Sequence, residues 1–142
     1  MTRSFGPTRS SLRIGPAPRE ADARVACIVM IETTAGLANV ADICAVPGVD
    51  AVYVGPSDLS IAVGGGAPEH GWQLPAFADA LATIKAAARS AGVACGLHVN
   101  DGVAGARALA DGFDFVSISN DLNHLTAFTR AELAAARATG AP

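Results

Sequence analysis

Hydrophobic positions along this chain fall into two alternating patterns. Short unbroken apolar runs are separated by longer segments in which apolar residues return every three or four positions. Ala26-Cys27-Ile28-Val29-Met30-Ile31 is the first run, and it stops at Glu32. Ala51-Val52-Tyr53-Val54 is the second, stopped by Gly55-Pro56. Val93–Val99 and Phe115–Ser119 are the third and fourth. Unbroken runs of this length predict strands covered on both faces, as in a parallel sheet. Between them, Thr34–Ala45 carries Leu37, Val40, Ala41 and Cys44 at helical spacing and is closed by Pro47-Gly48. Leu74–Ser90 predicts a long helix, with Pro75 tolerated in its first turn and Gly92 just past its end. Asp101–Ala110 and Asp121–Ala138 complete the helical set. A glycine-rich stretch over 63–68 lies between the second strand and the long helix.

Strands that alternate with helices imply right-handed crossovers and a parallel α/β sheet. The strand starts near 26, 51, 94 and 115 are unevenly spaced, so the units are βα modules without a fixed repeat. Residues 1–25 are polar and broken by Gly6-Pro7, Gly15-Pro16 and Pro18, which predicts an irregular arm with room for one short helix over Thr8–Ile14. The expected organisation is one domain, with the arm over 1–25 and four βα units over 26–142. A complete eight-stranded α/β barrel takes about 250 residues, and 142 do not supply one.

Composition narrows the functional classes. The chain is 51% hydrophobic and 16% charged, with a formal net charge of −3. Nucleic acid is excluded as the main partner, because a phosphate backbone asks for a basic surface. No run of 18 apolar residues is present, so a membrane span is not expected. The opening residues hold no apolar core of a secretory signal. The cysteines, Cys27, Cys44 and Cys95, are odd in number and form no CxxC, which points to a reducing, cytoplasmic compartment.

Chemistry in a parallel α/β fold gathers at the carboxyl ends of the strands. Glu32-Thr33-Thr34, Gly55-Pro56-Ser57-Asp58, His98-Val99-Asn100-Asp101 and Ser119-Asn120-Asp121 follow the four strands. Glu32 reads either as a salt-bridged charge or as an oxygen ligand for a divalent cation. Asp58 reads either as the N-cap of a short helix or as a second ligand. Neighbouring parallel strands lie about 4.8 Å apart, so carboxylates at adjacent strand ends can share one ion. Two carboxylates with water and a chelating oxyacid suit Mg²⁺ or Mn²⁺, with Co²⁺ also accommodated. Gly55 allows a close approach of backbone to ligand, and the amides of Ser57 and Asp58 suit a carboxylate or enolate. His98, His70 and His124 read as structural or surface residues, and Cys27 and Cys95 as core. The single lysine, Lys85, falls mid-helix on an expected solvent face. A Schiff-base lysine belongs on a desolvated strand position, so an imine-forming aldolase is disfavoured. No phosphate loop or nucleophile elbow is present.

Val29-Met30-Ile31-Glu32-Thr33, with Gly55-Pro56-Ser57-Asp58-Leu59-Ser60 placing Asp58 26 positions beyond Glu32, resembles the HpcH/HpaI aldolase/citrate lyase β-subunit family. The opening Arg3-Ser4-Phe5-Gly6-Pro7-Thr8-Arg9 is similar to that family's stretch after its fourth strand. The branch most resembled is that of the 4-hydroxy-2-oxoheptanedioate and 2-dehydro-3-deoxygalactarate aldolases. The resemblance implies the C-terminal half of a (β/α)₈ TIM barrel and a metal-dependent, class II aldolase. It implies Glu32 and Asp58 as ligands of the divalent metal, and Gly55, Pro56 and Ser57 as the cradle for the carboxylate end of pyruvate. The metal would polarise the 2-oxo acid's carbonyl and stabilise the enolate left by C–C cleavage. No role is carried onto His98, whose strand position varies in the family.

The family's acid–base histidine and substrate arginine belong to its first three strands, which have no counterpart here. The catalytic acid–base residues of this chain are therefore unknown. The expected function is cleavage or formation of a C–C bond of a 4-hydroxy-2-oxo acid, giving pyruvate or a related 2-oxo acid and an aldehyde, weak or inactive in this chain alone. The alternatives are a non-catalytic metal- and oxyacid-binding half-barrel or assembly subunit and, ranked lower, an acyl-CoA lyase like citrate lyase β or malyl-CoA lyase. Four strands taken from a barrel expose two apolar edges, which implies an aggregation-prone chain or pairing with a complementary half-barrel. The resemblance further implies a homo-oligomer, with Asp121–Ala138 packing on a neighbouring subunit.

Overall fold

The computed structural model describes residues 22–65 and 73–139, together with Ala17. Four strands, β1 (Ile28–Ile31), β2 (Ala51–Val54), β3 (Ala94–Val99) and β4 (Phe115–Ile118), form one parallel sheet in the order β1-β2-β3-β4. The helices are α1 (Thr34–Ala38), α2 (Val40–Cys44), α3 (Pro56–Ser60), α4 (Pro75–Ala91), α5 (Gly102–Ala110) and α6 (Asp121–Thr139). A kinked turn over Ile61–Gly65, with Gly64 at φ 101°, follows α3. The α/β alternation predicted from the sequence is present, and β1 and β4 are the two edges. Most of the 1–25 arm, including the Thr8–Ile14 helix, lies outside the described residues.

Alternation along the strands divides the sheet into two faces. Ile31, Val52, Val54, Cys95 and Val99 lie on one face and are essentially inaccessible. They pack against Val40 and Cys44 of α2, Phe77, Ile84 and Ala88 of α4, and Ala108 of α5 in a single core. The buried positions of α4, Phe77, Ala80, Ile84 and Ala88, follow the spacing of one helix face. Burial pushes the Cys44 thiol up, and it takes the Cys95 thiol to about 11, helped by the nearby Asp114 charge.

The opposite face is open. Met30, Tyr53, Gly96 and Phe115 share one register row across the four strands. A Cβ at Gly96 would lie 2.2 Å from Phe115 Cζ, so only glycine lets that ring cross β3. The ring reaches Tyr53, with centroids 6.0 Å apart and planes 12° from parallel. β1 departs from the expectation of cover on both faces. Its open-face residues Ile28 and Met30 are 52% and 50% exposed, because that face of the sheet is open.

One turn is used twice. Gly48 and Gly112 take left-handed φ values of 94° and 92°, and each is followed two residues later by an aspartate that opens a strand. Asp50 Oδ2 accepts from the Cys27 amide at 2.7 Å, and Asp114 Oδ2 from the Cys95 amide at 2.8 Å. The aspartate amides answer by donating to the carbonyls of the same residues, Cys27 at 3.0 Å and Cys95 at 2.8 Å. Each aspartate thus clasps the neighbouring strand by both backbone groups, which satisfies donors and acceptors at the sheet's amino end.

Three local readings are corrected. The helix predicted over Thr34–Ala45 is broken at Asn39, whose side-chain amide donates to the Ala35 carbonyl at 2.8 Å and competes with the helical pattern. Cys27 is exposed rather than core, because it precedes the edge strand. Lys85 is not on a solvent face. Its side chain is only 16% exposed, donates to Asp111 Oδ2 at 2.5 Å and to the Asp111 carbonyl at 2.8 Å, and lies 5.0 Å from the centre of the Phe113 ring.

Candidate metal and oxyacid site

A cavity of about 240 Å³ opens at the carboxyl end of the sheet, lined by Met30, Glu32, Tyr53, Gly55, Pro56, Ser57, Asp58 and His98. All five residues assigned to the site from the sequence, Glu32, Asp58, Gly55, Pro56 and Ser57, meet in it. A larger apolar cavity of about 330 Å³ lies on the helix-covered face between α4 and α5 and takes in neither Glu32 nor Asp58.

Glu32 is partly buried directly after β1, and Asp58 is exposed in the first turn of α3. Neither carboxylate has a cationic partner among the described residues, so the salt-bridge reading of Glu32 finds no support there. The N-cap reading of Asp58 is also corrected. Gly55 is the N-cap of α3, no side chain caps it, and Asp58 occupies the helix's third position. Lys85 cannot serve this cavity as an imine former, since Asp111 and Phe113 hold it at the amino end of the strands.

The structure gives Gly55 a more specific role than close approach to a ligand. Its φ of −88° is open to any residue. A Cβ there would meet Glu32 Oε2 at 2.7 Å, Glu32 Cβ at 3.1 Å and Met30 Sδ at 3.2 Å. The missing side chain is the space in which the Glu32 carboxylate stands. Pro56, without an amide hydrogen, begins α3, and Leu59 donates to the Gly55 carbonyl at 3.0 Å. The amides of Ser57 and Asp58, in the first turn, have no partner within the helix. Ser60 is fully buried, and its hydroxyl donates to the Ser57 carbonyl at 2.7 Å, holding the turn in shape.

Among the described residues no three His, Cys, Asp or Glu side chains cluster as a closed metal site. Two carboxylates in a cavity open to water match the hard oxygen chemistry of Mg²⁺ or Mn²⁺, which keep solvent or substrate oxygens in their remaining positions.

Sequence reasoning assigned His98 no role and did not single out Tyr53 or Ser117. His98 lines the cavity, and its Nδ1 lies 2.8 Å from Ser117 Oγ. The same Oγ is hydrogen-bonded to the Tyr53 hydroxyl. Alternation along the strands was the available signal, since Met30, Tyr53, Gly96 and Phe115 form one row of the open face and His98 and Ser117 are paired two residues further on.

Residues 8–127 match the family described as HpcH/HpaI aldolase/citrate lyase. A hydroxypyruvate/pyruvate aldolase of Rhizorhabdus wittichii is 39% identical over 137 residues, 96% of this chain and 54% of the relative. A 4-hydroxy-2-oxo-heptane-1,7-dioate aldolase of Salmonella arizonae is 36% identical over 110 residues, 77% of this chain and 40% of the relative. The crystal structure of a family protein from Burkholderia cenocepacia superposes with a TM-score of 0.72 at 34% identity, over 94% of this chain and 48% of that one. The chain spans about half the length of these relatives, and its four parallel βα units correspond to part of their barrel. With this fold and this profile match, the chain belongs to the HpcH/HpaI aldolase/citrate lyase family.

Proposed function

We propose that the Glu32–Asp58 cavity is the metal and 2-oxo acid half of a class II aldolase site, acting on 4-hydroxy-2-oxo acids that cleave to pyruvate, or a related 2-oxo acid, and an aldehyde. One observation carries this reading. Two carboxylates without a cationic partner among the described residues line one cavity at the carboxyl end of a parallel sheet, and a glycine is needed beside one of them. Relatives named as hydroxypyruvate/pyruvate and 4-hydroxy-2-oxo acid aldolases support the substrate class.

In this reading Glu32 and Asp58 hold Mg²⁺ or Mn²⁺. Such an ion supplies a Lewis acid to the oxygen that gains negative charge as the C–C bond breaks. The Gly55-Pro56-Ser57 turn binds and orients the substrate carboxylate through the Ser57 amide, joined by that of Asp58 in the same first turn of α3. Removal of the proton from the 4-hydroxyl falls to a base outside the residues assigned here. General acid–base catalysis contributes about 10²–10⁴-fold, so this chain by itself is a weak aldolase.

The open face of the sheet, with Ile28 and Met30 half-exposed, suits a complementary half-barrel. The outward row Leu122, Leu125 and Phe128 on α6, each about two-thirds exposed, suits a second copy in a homo-oligomer. Three free thiols, and described helices of which none is long and apolar enough to cross a membrane, fit the cytoplasm as the compartment we infer.

The test is a coupled assay of pyruvate release from 4-hydroxy-2-oxo acids with Mn²⁺ or Mg²⁺, run on the chain alone and mixed with a polypeptide supplying the other barrel strands. Activity in the mixture only is the expected result. Full activity of the chain alone would overturn the assignment of the acid–base group to another half, and no activity in either arm would overturn the aldolase reading.

A further inference from the structure

His98, Ser117 and Tyr53 form a hydrogen-bonded chain on the open face of the sheet, and the function proposed above leaves all three unused. His98 Nδ1 lies 2.8 Å from Ser117 Oγ, and the Tyr53 hydroxyl bonds to the same oxygen. Ser117 has a single hydroxyl proton, so the direction of the chain is a matter of donor strength. A phenol is a stronger hydrogen-bond donor than an alkyl hydroxyl. Tyr53 therefore donates to Ser117, which leaves the serine proton to be donated to His98 Nδ1. In the neutral ring the remaining proton then sits on Nε2, and bonds aligned head to tail in this way strengthen one another.

That Nε2–H has no partner among the described residues, and the ring lines the Glu32–Asp58 cavity. The other lining groups make the position informative. Glu32 and Asp58 only accept, the Tyr53 hydroxyl is committed to Ser117, and no lysine or arginine is among the lining residues. Among the described residues, His98 is the one lining side chain that offers an N–H donor, in a cavity suited to an anionic oxyacid. A fixed donor there needs no reorganisation when negative charge arrives.

We propose that His98 is a substrate-contacting residue that donates from Nε2 to an anionic oxygen of the bound 2-oxo acid, with Ser117 and Tyr53 as positioning residues that fix the ring. This rests on the metal and oxyacid reading of the cavity, and the experiment separates the two. The full chain is titrated first with Mn²⁺ and then, loaded with Mn²⁺, with oxalate, a planar dicarboxylate that mimics the chelating end of a 2-oxo acid. His98→Ala should weaken oxalate binding about tenfold or more, the size expected for a hydrogen bond to a charged group, and leave Mn²⁺ affinity within about twofold. His98→Gln, which keeps an N–H donor, should recover part of the loss and keeps the test valid if the alanine variant fails to fold. Ser117→Ala and Tyr53→Phe should shift the ¹⁵N signals of the His98 ring away from a single Nε2–H tautomer, which loss of packing alone would not do.

Oxalate binding by His98→Ala equal to that of the parent overturns the proposal and leaves the metal reading standing. Loss of Mn²⁺ and oxalate binding together in a folded His98 variant also overturns it, since His98 would then serve the ion. Failure of the parent chain to bind Mn²⁺ overturns the metal reading and this proposal with it.

Discussion

Asp50, Asp111 and Asp114 lie at the amino ends of strands, and each is tied to a donor: the Cys27 amide, the Lys85 ammonium and the Cys95 amide. At the carboxyl ends Asp101 caps α5 by accepting from the Ala104 amide, while Glu32 and Asp58 have no cationic partner among the described residues. The first group closes backbone bonds and joins one element to the next. The second pair stands in a cavity with a glycine cut away beside it. In barrels of this kind stability concentrates at one end and chemistry at the other. The same side-chain chemistry is used for both, and the difference lies in whether a donor within the chain has already satisfied it.

The contrast breaks most visibly in metal binding. Glu32→Ala and Asp58→Ala are each expected to weaken Mn²⁺ binding by about a hundredfold or more, about 3 kcal/mol, without lowering the thermal midpoint. Calorimetric titration and a melting curve on the same samples check both halves of the statement. A fall in midpoint matching that of a clasp variant would mean that Glu32 or Asp58 is structural. At the other end, Asp114→Ala should cost about 1–3 kcal/mol of folding stability, because the Cys95 amide loses its side-chain acceptor, and should leave Mn²⁺ affinity unchanged. Asp50→Ala should cost less, since Cys27 is exposed and water can replace the carboxylate. Urea unfolding with and without Mn²⁺ measures this pair.

The smallest effect is one of pH. The Cys95 thiol ionises near 9.0 in an ordinary setting and about 11 in the folded chain. Between those values the unfolded chain loses this proton and the folded chain retains it. The contribution is complete below pH 9 and declines as pH rises toward 11. Comparing urea midpoints at pH 8 and pH 10.5, the decline should shrink in Cys95→Ala. An unchanged decline would assign it to other groups.

Much of the fold was legible in the sequence because β2 and β3 are the inner strands and α4 packs on their covered face, so the apolar patterns of these elements are nearly complete. The errors fall where local context overrides pattern. Asn39 breaks a helix whose spacing is otherwise regular, and Cys27 extends an apolar run past the end of covered backbone. Lys85 carries a charge that spacing alone cannot distinguish from a solvent-facing one, because its partner, Asp111, lies 26 residues away. Glu32, Asp58 and the Gly55-Pro56-Ser57 turn were legible because polar residues abruptly end apolar runs. The His98–Ser117–Tyr53 chain was not, since all three members lie inside strands and meet only through sheet register.

The clasp at Asp50 and Asp114 bears on how the chain is made. Each aspartate reaches back to a residue synthesised shortly before it, 23 and 19 positions upstream. The sheet order β1-β2-β3-β4 inserts no later strand between earlier ones. Every strand can therefore dock on one already in place as the polypeptide leaves the ribosome, and the growing edge is always the most recent strand. A sheet ordered in this way permits assembly in the direction of translation, strand by strand.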